Sequence, residues 1–143
     1  MDELKLHPEA AKSLRRWHEM VARKDLSAVA ELLDTDATFR SPMAHHPYPS
    51  APVVATILQT VVEIFEDFTY HRQLATPDGL NVVLEFGARV GSRELKGIDL
   101  IRFDERGRIV EFEVMIRPMS GLSALAEQMA QRLAPFLASH KAG

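Results

Sequence analysis

The stretch Lys96-Gly97-Ile98-Asp99-Leu100-Ile101-Arg102-Phe103-Asp104-Glu105-Arg106-Gly107-Arg108-Ile109 reads as a strand, a tight turn and the start of a second strand. Strand side chains alternate between faces. Leu95, Gly97, Asp99, Ile101 and Phe103 therefore share one face, and Lys96, Ile98, Leu100, Arg102 and Asp104 the other. Asp99 stands out as a carboxylate among apolar neighbours. Such a group is costly to bury unless it is paired, hydrogen-bonded or protonated. Two readings follow. Asp99 is a structural acid that accepts backbone N–H bonds or pairs with an arginine, or it lies in a pocket with a raised pKa and works as an acid or hydrogen-bond donor.

Around this stretch the chain runs to 143 residues, the length of one domain spanning 1–143. Apolar residues make up 46%, enough for a core, and charged residues 26%. The 17 Lys and Arg against 20 Asp and Glu leave a net charge of −3. No basic surplus points to nucleic acid or to an anionic membrane. There is no cysteine, which removes disulfides, thiol nucleophiles and cysteine-ligated zinc and fits a reducing, cytoplasmic setting. The start Met1-Asp2-Glu3-Leu4-Lys5-Leu6 lacks a basic segment followed by an apolar run, so no signal peptide is expected. No apolar run approaches the roughly 18 residues of a spanning helix.

The order of elements comes from periodicity. A first helix is expected from Pro8 to about Arg23, with Ala10, Leu14, Trp17, Met20 and Val21 on one face. A short second helix is expected from Ser27 to Leu33, capped by Ser27 or Asp25 and ended by Asp34-Thr35-Asp36. A strand over 37–42 leads to Pro42-Met43-Ala44-His45-His46-Pro47-Tyr48-Pro49, where three prolines argue against regular structure. Ser50 is read as the cap of a third helix, apolar over a broad arc from Val53 to Phe65. Strands over 68–76, 80–90, 94–104 and 108–118 follow, turning at Pro77-Asp78-Gly79, Gly91-Ser92 and Glu105-Arg106-Gly107. Ser120 to about His140 reads as a final helix, with Pro135 expected to kink it or end its regular part. This order predicts an α+β fold. A curved antiparallel sheet forms a cone, helices pack on its concave face, and a C-terminal helix is added.

The order, the length and the Ile98-Asp99…Arg102-Phe103-Asp104-Glu105…Gly107-Arg108-Ile109 string resemble the nuclear-transport-factor-2-like superfamily, in its branch of SnoaL-like polyketide cyclases and ketosteroid isomerases. Lys24-Asp25-Leu26 is similar to that family's helix-ending Gly-Asp-Leu or Gly-Asp-Ile. Asp36-Ala37-Thr38-Phe39-Arg40-Ser41-Pro42 is similar to its Asp-Ala-Thr-x-x-Asp-Pro strand. The resemblance covers roughly residues 8 to 118. It implies a cystatin-like cone around a small-molecule cavity.

Ketosteroid isomerases use an aspartate base and an oxyanion hole made by a tyrosine and a protonated aspartic acid. By resemblance the oxyanion aspartic acid falls on Asp99, the tyrosine's position on Trp17 and the base's on Ser41. An indole donates a hydrogen bond but exchanges no proton in the useful range, and serine is no base. Steroid isomerisation by that mechanism is therefore not expected. The closing strand lacks the SnoaL-type aspartate. The second inward aspartate of limonene-epoxide hydrolases is missing too.

Other residues complete the candidate set. His45 and His46 lie on the loop that borders the cavity mouth in this fold, and either is a replacement base or a solvated loop histidine. Tyr70 and His71 point to opposite faces, and Tyr70 is an alternative oxyanion donor or a core tyrosine. The cavity is expected to be lined by Trp17, Phe39, Phe86, Phe112 and Ile116, with Ser41 and Tyr70. His18, His45, His46 and His71 show no metal-ligand spacing, so no metal is expected. Nor is any cofactor, since no Gly-x-Gly-x-x-Gly, Walker or Gly-x-Ser-x-Gly motif occurs. Ile98, Leu100, Val83 and Met115 make the opposite face of the sheet apolar, which predicts a homodimer through that face.

Two functions fit. One is an isomerase, cyclase or dehydratase acting on an apolar carbonyl or polycyclic compound, with Asp99 as acid or donor and His45 or His46 as base. The other is a non-catalytic ligand-binding or dimeric interaction module.

Overall fold

The computed structural model describes residues 4–140, the side chains of 137–140 excepted. Residues 1–3, part of the start from which no signal peptide is expected, and residues 141–143 of the expected domain span 1–143 lie outside the described residues. Helix α1 runs Pro8–Ala22, with His7 accepting the Glu9 N–H as its cap and Ala10, Leu14, Trp17 and Met20 buried. It ends in a Schellman turn. The Lys24 N–H donates to Val21 O and the Asp25 N–H to Met20 O, each at 3.0 Å, with Lys24 itself left-handed at φ 55.

The expected second helix shrinks to a 3-10 turn, Val29–Leu32. Asp25 caps no α-helix; its Oδ1 accepts from the Ser27 N–H at 3.0 Å and the Ser27 hydroxyl at 2.7 Å. Strand β1 starts earlier than expected, Leu33–Arg40, so Asp34-Thr35-Asp36 lies within it. The proline-rich loop contains a two-residue strand, β2 Tyr48–Pro49, paired with Thr38 and Phe39; an edge strand tolerates proline. Helix α2 is Ala51–Ile64. Ser50 stands at its N-cap without a side-chain bond, at φ 81.

The long strands are β3 Glu66–Ala75, β4 Asn81–Val90, β5 Arg93–Phe103 and β6 Ile109–Arg117, followed by helix α3 Met119–His140. Pro135 does not end α3, which continues through it. The six strands form one sheet in the order β2-β1-β6-β5-β4-β3. It is mixed rather than wholly antiparallel, because β1 lies parallel to β6. The chain leaves β1 through α2, and a crossover helix brings a strand back in parallel geometry, which a hairpin cannot do. The sheet is curved and open, with β2 and β3 at its edges.

The core lies between the concave face and the helices. Phe86, Phe103, Phe112, Leu84 and Ile101 are fully buried there. Two contacts seat α1 on the β5–β6 turn: the Ser13 hydroxyl donates to Gly107 O, and a Cβ on Gly107 would stand 2.5 Å from Glu9 O. Gly97 is equally constrained, since its Cβ would meet Phe86 Cζ at 2.7 Å and Met115 O at 2.6 Å.

Candidate active site

Asp99 faces inward from the middle of β5, between Leu84 of β4 and Val114 of β6. It is 6% exposed, and among the described residues no cation pairs with it. Tyr70 stands on β3, two strands away, a distance of roughly 10 Å that a tyrosine spans. Its hydroxyl donates to Asp99 Oδ2 at 2.6 Å. From α1, the Trp17 indole N–H donates to the Tyr70 oxygen at 2.9 Å. Three elements far apart in sequence thus meet in one chain of donors ending at a carboxyl.

Burial pushes the Asp99 carboxyl up to about 7, against the smaller opposing effect of the Tyr70 hydrogen bond. Burial first, then the Asp99 charge, pushes the Tyr70 hydroxyl well above its ordinary range. A carboxyl near neutrality is half protonated at physiological pH and can donate.

The carboxyl opens onto a cavity of about 270 Å³. Trp17, Phe39, Ser41, Tyr70, Asp99, Phe112 and Ile116 all line it. Trp17 and Phe39 flank Phe112, with ring centroids at 5.1 and 6.1 Å. Among the described residues Asp99 is the one carboxyl, histidine or amine in the wall. Phe86, expected there, lies one layer back, fully buried and stacked on Phe68 at 5.0 Å. The curvature of β3 brings Phe68 and Tyr70 in front of it. His45 and His46 are exposed and pack edge to face on each other at 5.1 Å; their neighbours Pro42, Met43 and Ala44 form the wall instead. The Ser41 hydroxyl accepts the Met43 N–H at 3.0 Å and shapes this loop.

Sequence reasoning missed the walls supplied by Val61 and Val62 of α2 and by Leu125, Ala126, Met129, Ala130 and Leu133 of α3. The apolar stripe of α3 was their visible signal. It also left Tyr70 apart from Asp99. The resemblance seeks a tyrosine on the first helix, where Trp17 stands; the tyrosine hydroxyl beside Asp99 belongs to Tyr70 of β3, and Trp17 donates to it. Among the described residues no group of His, Asp and Glu is placed to hold a metal ion.

The SnoaL-like domain model matches residues 14–112. A steroid delta-isomerase from Pseudomonas aeruginosa is 65% identical, with a TM-score of 0.92 over 95% of this chain and 99% of that one. An uncharacterized protein with a cystatin-like fold from Silicibacter pomeroyi is 31% identical, with a TM-score of 0.82 over 94% of this chain and 93% of that one. A protein of unknown function from Mesorhizobium loti, of the nuclear-transport-factor-2-like type, is 14% identical at a TM-score of 0.69, covering 82% of this chain and 98% of that one, and shows the fold alone. No curated protein matches.

Proposed function

We propose that this chain, which belongs to the SnoaL-like domain family, binds an uncharged, largely apolar carbonyl compound with its oxygen against Asp99, and promotes its isomerisation, cyclisation or dehydration. The observation that carries the reading is the Tyr70–Asp99 hydrogen bond of 2.6 Å at the wall of an otherwise apolar cavity. Tyr70 occupies Oδ2, which leaves the other carboxyl oxygen for a ligand. In its neutral form Asp99 donates to the ligand oxygen, and as charge develops there the bond strengthens. Trp17 holds the Tyr70 hydroxyl in the direction of the carboxyl. The 65% identity to a protein described as a steroid delta-isomerase supports an isomerase reading.

Among the described residues the wall holds no second carboxyl, and no histidine or amine, to serve as base. Catalysis then rests on polarising the carbonyl, with solvent at the mouth taking the proton from the α-carbon and returning one at the γ-carbon of an isomerising enone. The same observation favours a second reading, a cavity that binds a ketone without turnover. Conversion of a β,γ-unsaturated cyclic ketone to its conjugated isomer, followed by enone absorbance, separates them. The enzyme reading expects turnover that falls by about 10²–10³ in Asp99→Asn, the usual loss for one oxyanion donor. Ketone binding with no turnover in the wild type supports the binding module.

The convex face supports a homodimer. Leu74 is 56% and Met115 46% exposed there, beside the half-buried Val83, Ile98 and Leu100. Charge networks surround the patch, Arg72–Glu85–Lys96 at 2.7 and 2.9 Å and Arg40–Glu111–Arg102 at 3.0 and 2.9 Å. No described helix is long and apolar enough to cross a membrane; with the lack of cysteine this fits a cytoplasmic protein.

A further inference from the structure

Helix α3 lies wholly beyond residue 112, where the match to the family model ends. It nevertheless supplies one wall of the cavity through Leu125, Ala126, Met129, Ala130 and Leu133. Leu125, Met129 and Leu133 recur every four residues, and so do Ala126 and Ala130, which places each set along one side of the helix. The large side chains are buried at 2%, 8% and 3% exposure. The two alanines become more open along the helix, Ala126 half-buried and Ala130 exposed. Across the mouth stand Ala44 and Met43, the latter 41% exposed. Among the described residues, those that α3 sets in the wall carry no ionisable group.

The cavity, about 270 Å³, falls just below the roughly 300–1,000 Å³ of common small-molecule sites. A ligand larger than a substituted ring must project through the mouth. Met43, Ala126 and Ala130 present apolar side chains where the cavity wall meets solvent, and apolar surface left wet is unfavourable.

We propose that the ligand carries an unbranched alkyl tail that leaves the ring site along α3, with Ala126 and Ala130 setting the tail lengths the channel admits. The proposal rests on the reading that the ligand's oxygen sits at Asp99. It defines the substrate class as a cyclic ketone or enone with a linear apolar substituent opposite its oxygen. Small side chains at these two positions keep a groove open where leucine or phenylalanine would close it. Ala126 acts deeper and Ala130 at the rim.

The test is calorimetric titration of the full chain with 4-n-alkylcyclohexanones of increasing tail length, and with the matching alkylcyclohexanes, which lack the oxygen. In the wild type, affinity rises about fourfold per added methylene while the tail lies in the channel, then levels off. Ala126→Phe weakens the longest ketone at least tenfold more than it weakens cyclohexanone. Ala130→Phe shows the same pattern but only from longer tails onward. Ala130 is exposed, so its variant carries the comparison if Ala126→Phe fails to fold. Affinity that is flat with tail length, or a penalty equal at every length, overturns the proposal. Alkylcyclohexanes that bind as tightly as the ketones, with the same length profile, keep the channel and remove Asp99 as donor. If no ketone of any length binds, both readings fall.

Discussion

The Tyr70 hydroxyl reaches across β4 to donate to Asp99 Oδ2 at 2.6 Å, and among the described residues no cation pairs with that carboxyl. Asp99 is thus held by one neutral donor inside an apolar wall. Its proton affinity is set by burial, with Tyr70 as the single opposing influence. Replacing Tyr70 with phenylalanine removes that influence and leaves the Trp17 N–H without its acceptor. Tyr70→Phe should raise the Asp99 pKa further and lower stability by about 1–3 kcal/mol, the usual loss for an unsatisfied buried donor. Denaturant melts of Tyr70→Phe, and of Tyr70→Phe with Trp17→Phe, check this. The double variant should recover part of the loss.

Asp99 also makes stability depend on pH in an unusual direction. Its pKa rises from 3.8 unfolded to about 7 folded. The folded chain therefore binds a proton more tightly than the unfolded chain between those values. The stabilisation is complete below pH 3.8 and is lost as pH rises through about 7. Three pH units correspond to ~4 kcal/mol. Asp99→Asn keeps an acceptor for Tyr70 and has no charge to bury. The stability difference between variant and wild type should grow from pH 4 to pH 7 on the order of that amount, with the variant the more stable protein above neutrality. A difference that is constant with pH contradicts a buried titrating Asp99.

The end of α1 holds a correctable strain. Lys24 takes the left-handed conformation at φ 55 that the Schellman turn reserves for glycine. A side chain there costs about 1 kcal/mol. Lys24→Gly should raise the melting temperature by roughly 2–4 °C, with ketone binding unchanged. Thermal denaturation of the two proteins measures it.

The convex patch makes a quantitative claim on assembly. Leu74 and Met115 are its most exposed apolar residues. A charge at Met115 would be buried without a partner in a dimer and solvated in a monomer. Light scattering at micromolar concentration should give the mass of two chains for the wild type and of one for Met115→Glu. One chain in both removes the dimer.

The elements were legible wherever periodicity was long. Leu14, Trp17 and Met20 announce α1, and alternation through Val82, Leu84 and Phe86 announces β4. Asp99 was legible as an inward carboxyl because its neighbours two residues away are Gly97 and Ile101. Its partner was not. Tyr70 and Asp99 are 29 residues apart, and they meet only because β3 and β5 flank β4 in a curved sheet. The parallel pairing of β1 with β6 depends in the same way on where α2 carries the chain, which no local pattern records. Phe86 was misplaced because alternation gives the face of a strand but not the depth of a residue behind Phe68. Asp34-Thr35-Asp36 misled because Asp is depleted in strands; at the start of β1 Asp34 takes Arg106 at 3.5 Å and the Asp36 N–H at 3.0 Å.

The central claim is that neutral Asp99 donates to a ligand oxygen. The direct measurement is a carbon-13 NMR titration of the Asp99 carboxyl, assigned against Asp99→Asn, in free protein and with saturating cyclohexanone. The ketone accepts hydrogen bonds and donates none. A titration midpoint near 7 in the free protein, moving upward when the ketone binds, is the predicted result. A midpoint near the ordinary carboxylate range of about 4, or one that the ketone leaves in place, would contradict it.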